Sequence, residues 1–204
     1  MPTARDALLD AALSALATLP WSAVRMVDVA SAAGFSRQTL YNEFGSKEGL
    51  ARALVRSAAD GYLAGAERAL GSAGGTGEGL TATAAWTVWA VRSDALVRAL
   101  LTGCWEERLP RPVRLAAPTA SPVPAQRRAD AGTPTPAELL GQVTARAVAL
   151  LDTRWPPCDP EVLAATCETA LRLALSYALV PAPPAADRDP VPLVREVVEW
   201  RLTG

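Results

Sequence analysis

The sequence predicts an all-α protein: an N-terminal three-helix unit with a helix-turn-helix, joined by a long helix to a larger C-terminal helical domain. Three observations predict it. Apolar residues recur at helical spacing, as in Leu40/Phe44 and in Leu163, Cys167, Leu171, Leu175 and Leu179. Between Val24 and Leu50, two short helical patterns flank one tight turn at Gly34. Pro and Gly cluster between the helical runs instead of inside them.

The first helix is expected over Ala4–Thr18, with Leu9, Leu13 and Leu16 on one face and Pro20 beyond its end. Val29, Ala30 and Ala33 then share a face of a short second helix. Gly34 supplies the positive φ of a tight helix end. Phe35 is expected to plug the core, and Ser36 to cap a third helix by accepting an orphan N–H. In that helix Leu40 and Phe44 must point inward. Arg37, Gln38, Asn42 and Glu43 are left facing out, with Thr39 and Tyr41 at the margins. Gly45 stops the helix. Ser46 caps the next one, and Glu48 lies in its first turn, where the dipole favours an acid.

One long helix is expected from Ser46 to about Leu70, followed by a flexible break at Gly71–Gly79. Two helices should follow near Leu80–Val91 and Asp94–Glu107. Residues 108–136 are rich in Pro, Ala, Thr and Ser and read as a long flexible loop. Arg111, Arg114, Arg127 and Arg128 make it either a solvated loop or a basic arm for nucleic acid. Helical pattern resumes at Ala137–Arg154. Asp159, Pro160 and Glu161 then form a start signal for a helix running to about Leu179. Beside its leucine stripe lies a row of small residues: Thr166, Ala170, Ala174 and Ala178. A last helix, about Pro190 to Leu202, carries Leu193, Val194, Val197 and Val198 on a common face. The expected division is residues 1–50 and 51–204.

Length and charge bound the function. At 204 residues the chain can bury a real core. It has no run of about 18 apolar residues, and its N-terminal charges do not suit a signal peptide; both point to the cytoplasm. Net charge is −1, and through Arg56 six basic side chains face five acidic ones. Phosphate attraction depends on the charges that reach the backbone, not on that total. Lys47 is the only lysine against 19 arginines. With no histidine, His-based metal ligation and Ser-His-Asp chemistry are excluded. Cys104, Cys158 and Cys167 match no zinc spacing and read either as small buried apolar groups or as a redox-sensing thiol. No P-loop or other catalytic constellation is visible. No enzyme activity, cofactor or metal is expected.

The segments VDVASAAGFS, TLYNEF and SKEGL, in that order and spacing, resemble the DNA-binding domain of the TetR family of bacterial transcriptional regulators. The resemblance covers roughly the first quarter of the chain. It implies a homodimeric DNA-binding regulator, a repressor of a palindromic operator, whose second motif helix enters the major groove. The residues it assigns to DNA are Arg25, Ser36, Arg37, Gln38, Thr39, Tyr41, Asn42 and Lys47. Two positions depart from the family. Arg25 and Met26 replace a hydroxyl-bearing cap. Glu43 stands where an aromatic or His is frequent, and a carboxylate there either repels phosphate or accepts from cytosine.

The C-terminal domain would then bind ligand and dimerise. Trp86 and Trp89, three apart on one helix, are expected with Leu100, Cys104, Trp105, Trp155 and Leu171 to line a pocket for a small apolar effector; the alternative is that they are core. Thr166, Ala170, Ala174, Ala178, Val194, Val197 and Val198 are expected at the dimer interface, where small residues allow close helix approach. The alternative is packing within one subunit. The competing functions are a helical small-molecule binder, and a degenerate family member that dimerises without binding DNA.

Overall fold

A computed structural model describes residues 3–111, 133–152, 159–180 and 190–203, and among these every regular element is helical. In chain order they are α1 (Ala4–Thr18), α2 (Met26–Ala32), α3 (Arg37–Phe44), α4 (Lys47–Gly71), α5 (Thr76–Ser93), α6 (Ala95–Thr102), α7 (Pro136–Asp152), α8 (Pro160–Leu179) and α9 (Pro190–Thr203). A 3-10 turn at Trp21–Ala23 lies between α1 and α2. The all-α expectation holds. Two units divide the chain: Met1–Ala58 with the segment that begins at Cys104, and Ala59–Gly103 with the segment that begins at Thr135. The first unit thus ends inside α4, later than the expected boundary at residue 50, and it takes in the chain that follows α6.

In the first unit, α1 opens on a capping box: the Asp6 amide donates to Thr3 Oγ1 (3.2 Å) and the Thr3 amide to Asp6 Oδ2 (2.9 Å). The Thr3 amide bond holds the Asp6 carboxyl below its ordinary value. Leu8, Ala12, Val29, Leu40, Leu50 and Leu54 form the core. Gly34 and Gly45 both take positive φ, 74° and 71°, and end α2 and α3 as expected. Phe35 does not plug the core: it is 37% exposed. Leu40 and Phe44 already fill the space on the buried face of α3, leaving Phe35 at the rim.

In the second unit, α5, α8 and α9 pack against one another and α7 lies on α8. The most extensive helix pairing is α5 with α8. Small residues make it close. On α5 the buried face includes Gly79, Thr83, Ala84, Thr87 and Ala90; on α8 it includes Thr166, Ala170 and Ala174. Each buried hydroxyl is satisfied along its own helix: Thr83 to the Gly79 carbonyl (2.8 Å), Thr87 to Thr83 (2.9 Å) and Thr166 to Val162 (2.7 Å). Threonine here behaves as a small side chain with no orphan polar atom.

That packing corrects the interface expectation. Thr166, Ala170, Ala174, Val194 and Val198 are buried inside their own subunit, Ala174 and Val198 completely. Only Ala178 and Val197 of the expected set remain partly exposed. The small stripe is buried within the subunit, on a helix that packs against α5, α7 and α9.

Three boundaries also move. α5 begins at Thr76, inside the expected glycine break, because Gly79 can pass close to the Leu70 carbonyl at the end of α4 (3.3 Å from where a Cβ would stand). α6 ends at Thr102, short of the expected Glu107, because Gly103 takes a left-handed φ of 74°. Cys104 and Trp105 therefore lie beyond the helix. α8 is long and apolar enough to cross a membrane by length and composition, and a third of that window is buried inside the protein. Trp155, Cys158 and most of the expected loop lie outside the described residues.

Candidate nucleic-acid interface

The helix-turn-helix is built from short-range bonds. Ser36 caps α3, its Oγ accepting from the Thr39 amide (3.0 Å) and lying 2.8 Å from the Thr39 hydroxyl. The Phe35 amide closes the turn onto the Ala30 carbonyl (2.9 Å). Ser46 caps α4 through the Gly49 amide (3.1 Å). Its hydroxyl, after the local backbone amide, holds the Glu48 carboxyl below its ordinary value.

On α3, Arg37, Gln38 and Asn42 are exposed, with Thr39 and Tyr41 half-buried beside them. The side chains pair one turn apart. Gln38 Nε2 donates to Asn42 Oδ1 (2.8 Å). The Arg37 guanidinium lies 5.4 Å from the centre of the Tyr41 ring. The amide pair leaves the Gln38 carbonyl and Asn42 NH2 outward, an acceptor beside a donor, which is the complement of an adenine edge. Arg37 keeps its full charge against a neutral ring.

The other cations divide by partner. Arg25 supplies the N-terminal backbone of α2, and its fork closes on Asp28, Nε to Oδ2 at 2.8 Å and an NH2 to Oδ1 at 3.1 Å. That bond pushes the Arg25 guanidinium above its ordinary value. Arg5 lies 3.6 Å from the Glu43 carboxylate, donates to the Glu43 carbonyl (3.2 Å), and covers the Phe44 ring at 4.7 Å. Lys47 is held by neutral groups, Nζ donating to the Ser22 carbonyl (3.2 Å) and standing 5.1 Å from the Trp21 ring centre, while the Glu48 carboxylate next to it feels its charge without a direct bond. Sequence reading missed Arg5, Trp21, Ser22 and Asp28. Asp28 was legible, at helical spacing from Arg25. The other contacts join residues 25 to 38 positions apart and leave no local pattern.

The described residues expected around an effector fall in both units. Leu100 and Leu171 are fully buried. Cys104 and Trp105 group with the first unit, whereas Trp86 and Trp89 belong to the second. Trp86 is a docking side chain: its ring lies on the α4 backbone at Gly65, where any Cβ would collide with it, and its Nε1 donates to the Tyr62 carbonyl (3.1 Å). Trp89 stacks on it at 4.8 Å between ring centres and is 59% exposed. A groove of about 710 Å³ runs instead along the α7–α8 hairpin, where Leu140, Thr144, Val148 and Ala164 line it and Glu168 and Arg172 rim it. Beneath lies Cys167, whose thiol burial pushes up to about 11, with Thr144 as its hydrogen-bond partner. A protonated, buried thiol is a poor nucleophile, which favours packing over redox sensing.

Comparison with known proteins decides the family. The profile of bacterial regulatory proteins of the tetR family matches residues 8–54. The HTH-type transcriptional regulator AlkX of Mycobacterium tuberculosis (strain ATCC 25618 / H37Rv) is 36% identical over 186 residues, 91% of this chain and 78% of AlkX. The chain belongs to the TetR family. It is a transcriptional regulator with the helix-turn-helix of that family. Solved TetR-family folds agree along the whole length. The regulator SCO7518 from Streptomyces coelicolor A3(2) superposes with a TM-score of 0.59 at 20% identity, covering 100% of both chains. The TetR family repressor AlkX from Dietzia sp. strain DQ12-45-1b, implicated in biodegradation of n-alkanes, superposes at 0.50 with 22% identity, covering 96% of this chain and 91% of that one.

Proposed function

We propose that this TetR-family regulator is a cytoplasmic, homodimeric repressor that reads a palindromic operator through α3 and leaves it when a small apolar effector binds. The observation that carries the DNA reading is the exposed start of α3, where Arg37 and the Gln38–Asn42 pair stand in fixed rotamers. Arg37 suits guanine O6/N7 and the amide pair suits adenine. The relative named as a repressor, AlkX from Dietzia, supports the sign of regulation.

Two half-sites need two subunits. With the small stripe buried, the outer faces of α8 and α9 are the proposed interface. Val162 and Leu179 on α8 and Leu193 and Trp200 on α9 are exposed, Trp200 by 74%. Large apolar side chains left in water mark an association surface. For the effector, the α7–α8 groove offers apolar walls with two charged side chains at its rim.

Fluorescence anisotropy with labelled DNA flanking the chain's own gene, against a random duplex, tests the reading. Tighter binding of the flanking DNA, lost when Trp200→Glu converts the dimer to a monomer by sedimentation, is the expected result. A dimer that binds no duplex would leave only the dimerising alternative. Filling the groove with Ala145→Trp should abolish effector release and leave DNA binding intact.

A further inference from the structure

Among the cations of the first unit, Arg5, Arg25, Arg37 and Lys47 have neighbours of two classes. Arg5 and Arg25 lie against carboxylates, Glu43 and Asp28, so their charge is cancelled where it stands. Arg37 and Lys47 lie against aromatic rings and a carbonyl, which fix a cation without neutralising it. Arg37 is on the reading helix. Lys47 is not, and its holder is a separate element, the 3-10 turn Trp21–Ala23.

That turn is itself tied. The Trp21 amide donates to the Arg108 carbonyl (2.9 Å), the Ala23 amide to Pro20 (2.9 Å) and the Val24 amide to Trp21 (3.2 Å). The backbone under Lys47 is equally fixed, since Ser46 caps α4 and accepts the Leu50 amide (3.0 Å). An ammonium carries three N–H donors. Here one goes to Ser22 and the indole face takes the cation from a second side, which leaves donor capacity facing solvent.

We propose that Trp21 and the Ser22 carbonyl are positioning elements for DNA binding: they hold the Lys47 ammonium, charge intact and ordered in advance, to meet a backbone phosphate, and Arg25, spent on Asp28, does not make that contact. This rests on the DNA-binding reading and adds where its sequence-independent grip resides. Preordering matters because lysine otherwise loses much of its rotamer freedom when it grips a phosphate.

The test uses the full chain and a labelled random-sequence duplex, titrated by anisotropy over a salt series. Lys47→Ala should weaken binding and lower the salt slope by about 0.9 per subunit bound, one phosphate's worth. Arg25→Ala should leave the slope unchanged. Trp21→Leu should weaken binding about two- to fivefold, the range for a cation on an exposed ring. That loss should vanish in a Lys47→Ala background. Should Trp21→Leu melt early, Trp21→Phe provides the same cycle with a smaller expected loss. A Trp21 effect that persists in full without Lys47 would make the ring merely structural and overturn the proposal. So would a salt slope that falls with Arg25→Ala. A wild-type chain that binds no duplex even at low salt overturns the proposal and the DNA-binding reading together. Binding by the wild type with an inert Trp21 overturns the proposal alone.

Discussion

The two units spend their polar groups in opposite ways. In the first, charged and amide side chains sit at the surface in pairs, Arg25 on Asp28, Arg5 on Glu43 and Gln38 on Asn42. In the second, polarity is carried mainly inward by hydroxyls and a thiol: Thr83, Thr87 and Thr166 bond their own helices, and the Tyr62 hydroxyl meets Thr87 at 3.0 Å. The first arrangement fixes side-chain directions at low cost, since exposed pairs are worth little energy. The second satisfies its buried hydroxyls along the helices themselves and lets helices close on small residues. One unit is built to present groups, the other to pack.

The largest break in that contrast would come from Ala174→Arg. The side chain has no exposed surface, so a guanidinium there would be buried without a partner, at a cost of about 3–5 kcal/mol or more. The variant should be insoluble or unfolded by circular dichroism. A well-folded monomer would put Ala174 back at a subunit surface and undo its assignment to the core.

Alkaline titration gives the next largest effect. Burial raises the Cys167 thiol from 9.0 to about 11 and the Tyr62 phenol from 10.0 to about 12. Both groups are neutral when protonated, and the fold disfavours their ionised forms. Stability is therefore fully present below pH 9 and falls as pH rises through 9–11 for the thiol and 10–12 for the phenol. The loss is on the order of 2–3 kcal/mol per group once both forms are ionised. Thermal melts across that range check it, and Tyr62→Phe should flatten the upper part of the decline.

How legible each unit was in the sequence follows from the same contrast. Gly34, Ser36, Gly45 and Ser46 act within four residues of themselves, so caps and turns could be read directly. Which helices exist was readable throughout, because periodicity is local. Which face met which partner was not. The stripe Thr166, Ala170, Ala174 announces close approach, but nothing in α8 says that the approaching helices belong to its own subunit. Trp86 likewise reads as a pocket wall until Gly65, twenty-one positions earlier, is seen beneath its ring.

Smaller effects sharpen the first unit. Arg37→Ala or Gln38→Ala should cost about 1–3 kcal/mol on the cognate site and relax one position per half-site. An equal loss on random duplex would remove base reading from α3. Smallest is Glu43→Gln. With Arg5 already beside the carboxylate, stability should change by no more than about 1 kcal/mol and sequence preference not at all. A preference change at a cytosine, seen by competition with single-base variants, would return Glu43 to the groove.

The lone lysine also has a chemical consequence. Amines are the usual targets of activated esters and acyl donors, and this chain offers one side-chain amine in 204 residues. A reagent that acylates it removes a cation at the foot of α4 and touches no other side-chain amine. Labelling through amines, routine for surface immobilisation and dyes, would therefore act on this protein as a point mutation in its DNA-facing unit; coupling through a surface cysteine would spare that position.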